Sequence, residues 1–457
     1  MARPPHHRRR RAAPSATTAS TENTDPTPIG HPIFAQPKPT PDPTQFRIKH
    51  PSDDAAYKAI DQLNAEHKLH PVPFPAPRGL PEPVLTLAQV LGPTGADAVK
   101  RIAASGQLVF HSVGDTGSVR GPQDQNLVTD KMEADFDEEA AQNVPQFFFH
   151  LGDVIYNFGE ARYYYDQFYE PYRDYPAPIV ALAGNHDGMV APGVSTPTLE
   201  AFLHNFCAED FEVVPEAGGL ARTAQIQPGV FFTFEAPLLR IFALYSNTLE
   251  DPGVIASPEI GHAQLDFLRA ALTRAKGFSG ALIIAHHHPC YTVGSIHGWS
   301  EDMRAQIDQI CNQTGVWPHA VLSAHAHNFQ RFTRVHQAME IPYIVAGNGG
   351  HAVTRLKREV DAGGAPLVAA NADKMGGASR YITPFRAPTV LQAAGQGKDL
   401  VRLENYDDQD FGYLRIVVTQ KQLRIEYHPA SDGDAAKTPD DVVAVDLTSR
   451  KLVAPSV

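Results

Sequence analysis

Cysteine is scarce in this chain. There are three among 457 residues, Cys207, Cys290 and Cys311, and no Cys-x-x-Cys pair. An odd number at wide spacing excludes a disulfide framework and a thiolate zinc site. Cys290 follows three histidines directly, yet an isolated cysteine serves more often as a small buried apolar side chain. Long apolar runs are also absent: nowhere do 18 apolar residues follow one another, so no segment is expected to span a membrane. There is no excess of basic charge. The formal net charge is −12, which argues against nucleic-acid binding by the molecule as a whole. An anionic substrate stays open, because bound cations invert the local sign. The N-terminal "MARPPHHRRRRAAPSATTASTENTDPTPIG" has the charge of an export signal but not its apolar stretch. A solvated tail and a cytoplasmic location are the expectation, with a basic docking arm as the lesser alternative.

What is present suits a globular chain. The apolar fraction is 42% and aromatics make up 9%, enough for one large or two ordinary domains. Residues 1–50 are rich in Pro, Thr and Ser and read as a disordered tail. Residues 51–106 hold two helical patterns, "DDAAYKAIDQLNAEH" and "TLAQVLGPTGADAVKRIAAS", around the Pro-rich strap "LHPVPFPAPRGLPEP". A catalytic domain is expected over 107–457. From 107 onward, short apolar runs end in polar, mostly Gly-bearing turns: "QLVFHSVGDTG", "QFFFHLGDVIY", "PIVALAGNHD", "ALIIAHHHP", "HAVLSAHAH". Such runs read as buried strands. Helical patterns fall between them, with Leu265, Leu268 and Leu272 on one face of the first and Met303, Ile307, Ile310 and Cys311 on one face of the second. Strands alternating with helices give the α/β class. The later "VFFTFEAPLLRIFALYSN", "FQRFTRVHQ" and "FGYLRIVVTQKQLRIEYHP" read as antiparallel pairs, so two sheets face to face with helices outside are expected. No internal repeat is present.

Five of these strand ends carry metal-competent groups. The first offers Asp115, the second Asp153 and Tyr156, and the third Asn185 and His186. The fourth offers His286, His287 and His288, and the fifth His325 and His327. Ligands collect at the carboxyl ends of strands in α/β sheets. Each motif alone reads equally well as a turn, or as two like side chains on one strand face. Five in order do not.

The ordered set GDTG, GDVIY, GNHD, IAHHHP and AHAHNFQR, with "YIVAGNGG" at 343–350, resembles the calcineurin-like metallophosphoesterases, and within them the purple acid phosphatase pattern. The resemblance covers about residues 107–430. It implies a four-layer α/β/β/α sandwich of two mixed sheets with flanking helices, and a two-metal centre that hydrolyses phosphate esters. Carried over motif by motif, it implies Asp115, Asp153, Tyr156 and His327 around one metal. Asp153 would bridge to a second metal held with Asn185, His287 and His325. The His-x-Pro spacing selects His287, with His286 as the alternative. A water between the metals would attack phosphorus in line. His186 would stabilise the phosphoryl oxygens or protonate the leaving group, and His297 would face substrate. Either histidine reads otherwise as a loop residue. The hard oxygen ligands of the first set favour Fe(III), and the imidazole-rich second set suits a divalent ion: Fe, Zn or Mn.

Several positions depart from the wider pattern. Gly117 stands where the superfamily usually has a histidine two residues after the first Asp, and Tyr156 takes that place, as in purple acid phosphatases. The third motif ends in Asp187 rather than Glu. Ala324 replaces the usual glycine of the fifth, and alanine resists a positive φ that glycine accepts. Relatives of this type are commonly exported, whereas this chain shows no export signal and no leading fibronectin-like domain. The expected function is a phosphomonoesterase of acid-phosphatase type acting on a small phosphorylated substrate. A phosphodiesterase or a nucleotide or phospholipid-headgroup hydrolase on the same site is the alternative. A non-catalytic binding module is disfavoured because no ligand is missing.

Overall fold

The computed structural model describes residues 29–35, 54–66, 68–356, 390–392, 399–430 and 438–455. Most of the expected tail, and much of the Gly/Ala-rich stretch 351–405, lie outside them. Within the tail, residues 29–35 run along the body: Ile29 N–H donates to the Phe211 carbonyl at 2.7 Å and Ile33 N–H to the Thr223 hydroxyl at 3.0 Å.

Sixteen strands among the described residues form two mixed sheets. One holds β2 (Gln107–Val113), β3 (Phe148–His150), β4 (Ile179–Ala181), β13 (Gly412–Thr419), β14 (Gln422–Pro429), β15 (Asp441–Asp446) and β16 (Leu452–Val453), in the order β16-β15-β14-β13-β2-β3-β4. The other holds β1 (Val84–Thr86), β5 (Phe232–Ala236), β6 (Leu239–Ala243), β7 (Ala281–Ala285), β8 (Ala320–Ser323), β9 (Phe329–His336), β10 (Met339–Ala346), β11 (Val390–Gln392) and β12 (Leu400–Asp407). Its order is β1-β5-β6-β7-β8-β10-β9-β12-β11.

Side-chain alternation explains the layering. Along β13, Leu414, Ile416 and Val418 enter the core between the sheets, together with Ala281, Ile283 and Ala285 of β7. The alternate residues Leu282 and Ile284 join a second cluster with Phe267, Leu268 and Leu272 of α7 (Ala263–Arg274) and Met303, Ile307 and Ile310 of α8 (Glu301–Thr314). Val128 and Met132 of α4 (Gln123–Glu133) join Val113 and Phe148 on the outer side of the other sheet. A strand whose two faces are both buried must be apolar on both, which is why the central runs lack alternation. The expected single helix "TLAQVLGPTGADAVKRIAAS" is interrupted. It forms α2 (Leu87–Val90), a 3-10 turn at Gly92–Thr94 and α3 (Gly95–Ser105), because Pro93 lacks the N–H that a continuous helix requires.

Strands β2, β3 and β4 pair in parallel, as do β7, β8 and β10. Their carboxyl ends therefore emerge along one edge of each sheet. The two edges are tied together where Gly114 N–H, just past β2, donates to the Ala346 carbonyl at the end of β10 (2.9 Å). Beside this junction lies α5 (Asn185–Gly188), with the N-terminal α1 (Asp54–Ala65) reaching it through Tyr57, and α6 (Glu200–Phe206) burying Phe202 and Phe206 in the core further along the chain. No helix among the described residues is long and apolar enough to cross a membrane.

Candidate metal centre

The strand ends turn sharply, and the turn residues are the polar ones. Asp115 (φ 56°), Asp153 (56°), His325 (66°) and His327 (47°) all occupy the left-handed region that non-glycine residues avoid. Ala324 does not, so the concern attached to it falls on its histidine neighbours instead. Strain of this kind persists only where the surroundings enforce it and collects at functional sites. Two glycines make the approach possible. A Cβ at Gly184 would lie 2.1 Å from Asp153 Oδ1, and one at Gly347 would lie 2.5 Å from Asp115 Oδ2.

Tyr156 is the hub. Its hydroxyl lies 2.9 Å from Asp115 Oδ1, 2.9 Å from Asp153 Oδ2 and 3.2 Å from His327 Nε2. Asp153 also accepts from the His186 backbone N–H at 2.9 Å and stands 3.3 Å from His287 Nε2. Asp115 accepts from the His325 backbone N–H at 2.7 Å. Single ligand atoms of Asp153, His287 and His325 lie within 4.8 Å of one another. Asn185 is fully buried next to this group, and its amide donates to Glu250 at 3.2 Å. The structure thus brings Asp115, Asp153, Tyr156, His287, His325 and His327 to one point and sets Asn185 beside them. His286 is turned elsewhere, with Nδ1 on the His288 carbonyl at 2.6 Å and Nε2 against the Cys290 sulfur at 3.4 Å. Cys290 is a buried thiol whose pKa is pushed up to about 12 by burial.

The charge balance of these groups is tight. Burial raises the Asp115 carboxyl to about 7, opposed by His287 and reinforced by Asp153. Asp153 stays below the usual range despite its burial, because His287 and His186 face it. Burial disfavours a charged His287, but Asp153 and Asp115 outweigh it and lift the ring to about 9. Two buried carboxylates call for positive charge here, which is the requirement a cation meets.

The donor set fits metal ions by a second criterion. Asn185 Oδ1, His287 Nε2 and His325 Nε2 are buried without a hydrogen-bond partner, a costly arrangement unless something else satisfies them. The tautomer is prepared as well. His287 Nδ1 lies 2.9 Å from the Leu151 carbonyl and donates to it, so Nε2 is the nitrogen turned toward the carboxylates and the one a metal would take.

Both expected substrate-facing histidines are at the site. His186 is 2% exposed. Its Nδ1 donates to the Asn157 carbonyl at 2.8 Å, and its Nε2 stands 3.9 Å from Asp153 Oδ2. The His297 ring lies 4.3 Å from His325 and 5.0 Å from His327. Burial opposes its protonation, but Asp251 (3.8 Å) and Glu250 (4.0 Å) more than offset this and raise its pKa.

Four participants were not singled out in the sequence. His351 stacks on the Tyr156 ring at 3.5 Å and donates from Nδ1 to the Gly117 carbonyl at 3.0 Å; its place directly after GNGG was the available hint. Glu250 and Asp251 sit in a loop without a motif. Tyr57, on α1, lies 5.3 Å from the His186 ring and donates to Glu250 at 3.2 Å. Asp187, read only as a departure, braces the turn: its carboxylate accepts from the backbone N–H groups of Gly184, Val154 and Ile155 at 2.8–3.2 Å. A longer Glu would need another backbone path to reach them.

Comparison with known proteins follows the same residues. Residues 112–329 match the calcineurin-like phosphoesterase family, a span containing every candidate ligand from Asp115 to His327. No curated protein sequence matches the chain. Among solved structures, the chain is similar to the purple acid phosphatase from yellow lupin (Lupinus luteus) seeds at TM-score 0.46 and 16% identity, over 74% of this chain and 54% of the lupin one. The chain thus spans about half the length of the lupin enzyme. It is also similar to GAP50, the anchor in the inner membrane complex of Plasmodium, at TM-score 0.45 and 14% identity (72% and 86% covered). PhoD gives TM-score 0.45 and 13% identity (77% and 72% covered).

Proposed function

We propose that this chain, which carries a calcineurin-like phosphoesterase domain at residues 112–329 and is thereby a hydrolase of phosphoesters, works as a binuclear metal-dependent phosphomonoesterase of acid-phosphatase type. The observation that carries the reading is the convergence of Asp115, Asp153, Tyr156 and His327 on one phenol oxygen, with Asn185 Oδ1, His287 Nε2 and His325 Nε2 left bare around it. Asp115, Asp153, Tyr156 and His327 would hold an ion of Fe(III) type, while Asn185, His287 and His325, with Asp153 shared, would hold a divalent Fe, Zn or Mn ion. Two such ions would supply positive charge for a phosphoryl group and would ease the ionisation of water near neutral pH.

The chain's own residues do the rest. Asp153 orients the His186 backbone by accepting its N–H, and the Asn157 carbonyl accepts from His186 Nδ1, so the doubly protonated ring would give the proton on Nε2 to a leaving oxygen and remain as the neutral Nδ1–H tautomer. His297, whose protonated form Asp251 and Glu250 favour against burial, lies beside His325 and His327, where a charged ring would suit phosphate. Glu250 fixes the Asn185 amide so that its oxygen, not its nitrogen, points to the metal position. The test is metal analysis of purified protein followed by a panel of phosphomonoesters, phosphodiesters and nucleotides. Two metal equivalents with monoester hydrolysis at least tenfold above diester hydrolysis support the reading. Activity in verified metal-free protein, or a diester preference, overturns it.

A further inference from the structure

We propose that Tyr57, contributed by the N-terminal helix from outside the phosphoesterase domain, is a specificity-determining residue that roofs the substrate cleft and limits the bulk of the leaving group. The inference rests on the proposed phosphomonoesterase reading and deepens it. Helix α1 precedes the matched domain by nearly fifty residues, yet it returns to the site. Its half-buried positions Ala56, Tyr57, Ile60 and Asn64 recur at helical spacing, so one face is turned inward while Lys58, Asp61 and Gln62 stay in solvent. From that face Tyr57 reaches two groups of the site. Its ring lies 5.3 Å from the His186 ring at 42°, and its hydroxyl donates to Glu250 Oε1 at 3.2 Å. Glu250 Oε2 in turn receives the Asn185 amide, so the phenol is bonded to a carboxylate that also orients a candidate ligand.

The placement is held by the first residues of the strap that follows the helix. Val72 exchanges two hydrogen bonds with the Asn247 side chain, at 2.8 and 2.9 Å. Phe74 meets Tyr245 edge-on at 5.1 Å. Asn247 and Tyr245 belong to the loop that continues to Glu250 and Asp251, so the strap and the site share one support. If His186 protonates the leaving oxygen, the group attached to that oxygen extends from His186, and Tyr57 is an aromatic ring already standing beside it. A small leaving group fits beneath the ring; a wide one meets it. Pocket shape of this kind discriminates by about 10–200-fold.

The test compares full-length protein with Tyr57→Ala and Tyr57→Phe. Turnover is measured on 4-nitrophenyl phosphate and the wider 3-O-methylfluorescein phosphate. Calorimetric affinity is measured for inorganic phosphate and for a naphthylmethyl phosphonate. Tyr57→Ala is expected to raise kcat/KM for the wide ester relative to the small one by about tenfold or more, and to tighten the phosphonate relative to phosphate to a similar extent. Tyr57→Phe keeps the ring and should keep both ratios within about threefold of wild type. Ratios in Tyr57→Ala that match wild type overturn the inference. So does a Tyr57→Phe that behaves like Tyr57→Ala, because the hydroxyl rather than the ring would then be responsible. The binding ratio decides the matter even if neither ester is hydrolysed, and absence of hydrolysis would count against the phosphomonoesterase reading alone.

Discussion

Replacing His186 by alanine should slow hydrolysis in proportion to how much the leaving group needs a proton. The ring is buried between defined neighbours, 4.1 Å from Tyr156 and 5.3 Å from Tyr57, with Nδ1 committed to the Asn157 carbonyl and Nε2 directed to Asp153 at 3.9 Å. With Nδ1 engaged, Nε2 is the nitrogen left to act, and it stands beside the proposed metal ligand Asp153. General acid help is worth roughly 10²–10⁴-fold, or about 2.7–5.5 kcal/mol on the barrier. An alkoxide leaving group needs that proton in full, whereas a nitrophenolate leaves largely without it. His186→Ala is therefore expected to lose roughly 10²–10⁴-fold in kcat on an alkyl phosphate, and about tenfold or less on 4-nitrophenyl phosphate. Deleting a buried ring also costs about 2–4 kcal/mol of stability, so the folded fraction and the metal content are measured on the same preparation. His186→Asn, which keeps a polar group of intermediate size, serves as the second variant. Equal losses on both substrates would refute proton donation and leave only phosphate binding. Loss of metal from a folded variant would make the histidine structural.

Other consequences can be checked separately. Thorough chelation should abolish phosphate-ester hydrolysis and added divalent metal should restore part of it; verified metal-free protein with full activity contradicts the mechanism. Asp153→Asn, which alters the one carboxylate facing Tyr156, His186 and His287 together, should deplete both metals and reduce activity by more than about 10²-fold, an outcome read by elemental analysis and initial rates. Iron-loaded, oxidised protein should absorb visible light through the Tyr156 phenolate, and Tyr156→Phe should be colourless with the second metal largely retained; colour that survives the substitution excludes the tyrosine. Far from the site, the His319 ring accepts the Leu282 N–H at Nδ1 (2.9 Å), and burial, then Arg450, lowers its pKa from 6.5 to about 4. Its folded pKa lies below the unfolded one, so its contribution is complete above pH 6.5 and is lost as pH falls from there toward 4. The slope is about 1.4 kcal/mol per pH unit. Urea unfolding at pH 7.5 and 5.0 should show His319→Gln about 2 kcal/mol less acid-sensitive than wild type, and parallel curves would show that the ring titrates normally.

The catalytic edge was legible because its signals are local. A short apolar run ending in Gly-Asp or His-x-His states both a buried strand and what its end presents. Six parallel-paired strands then place those ends along one line. The ordering of β13 beside β2, or of β9 between β10 and β12, was not legible, since strand pairing over hundreds of residues leaves no local trace. The same holds for the site's outer members. Tyr57 lies on a helix whose amphipathic pattern says that a face is covered but not by what. Glu250 and Asp251 are two acids in a loop, and only the fold brings them to His297. His351 follows a glycine turn that could have ended anywhere. Asp187 shows the opposite case. Its identity looked like a deviation until its three backbone donors were seen, after which the short side chain is what the turn demands.

The candidate ligands are divided between the two sheets: Asp115, Asp153, Tyr156 and Asn185 follow β2, β3 and β4, while His287, His325 and His327 follow β7 and β8. This division has a consequence for biosynthesis. The bond from the His325 backbone to Asp115 joins residues 210 apart. At about 5–20 residues per second, the ribosome adds His325 roughly 10–40 s after Asp115. During that interval the nascent chain would present two carboxylates and a phenol with no imidazole to complete a high-affinity site. Metal capture should therefore be a late event, following docking of the second sheet, and the ion acquired should reflect the compartment where the finished chain folds rather than the one where its first half appears.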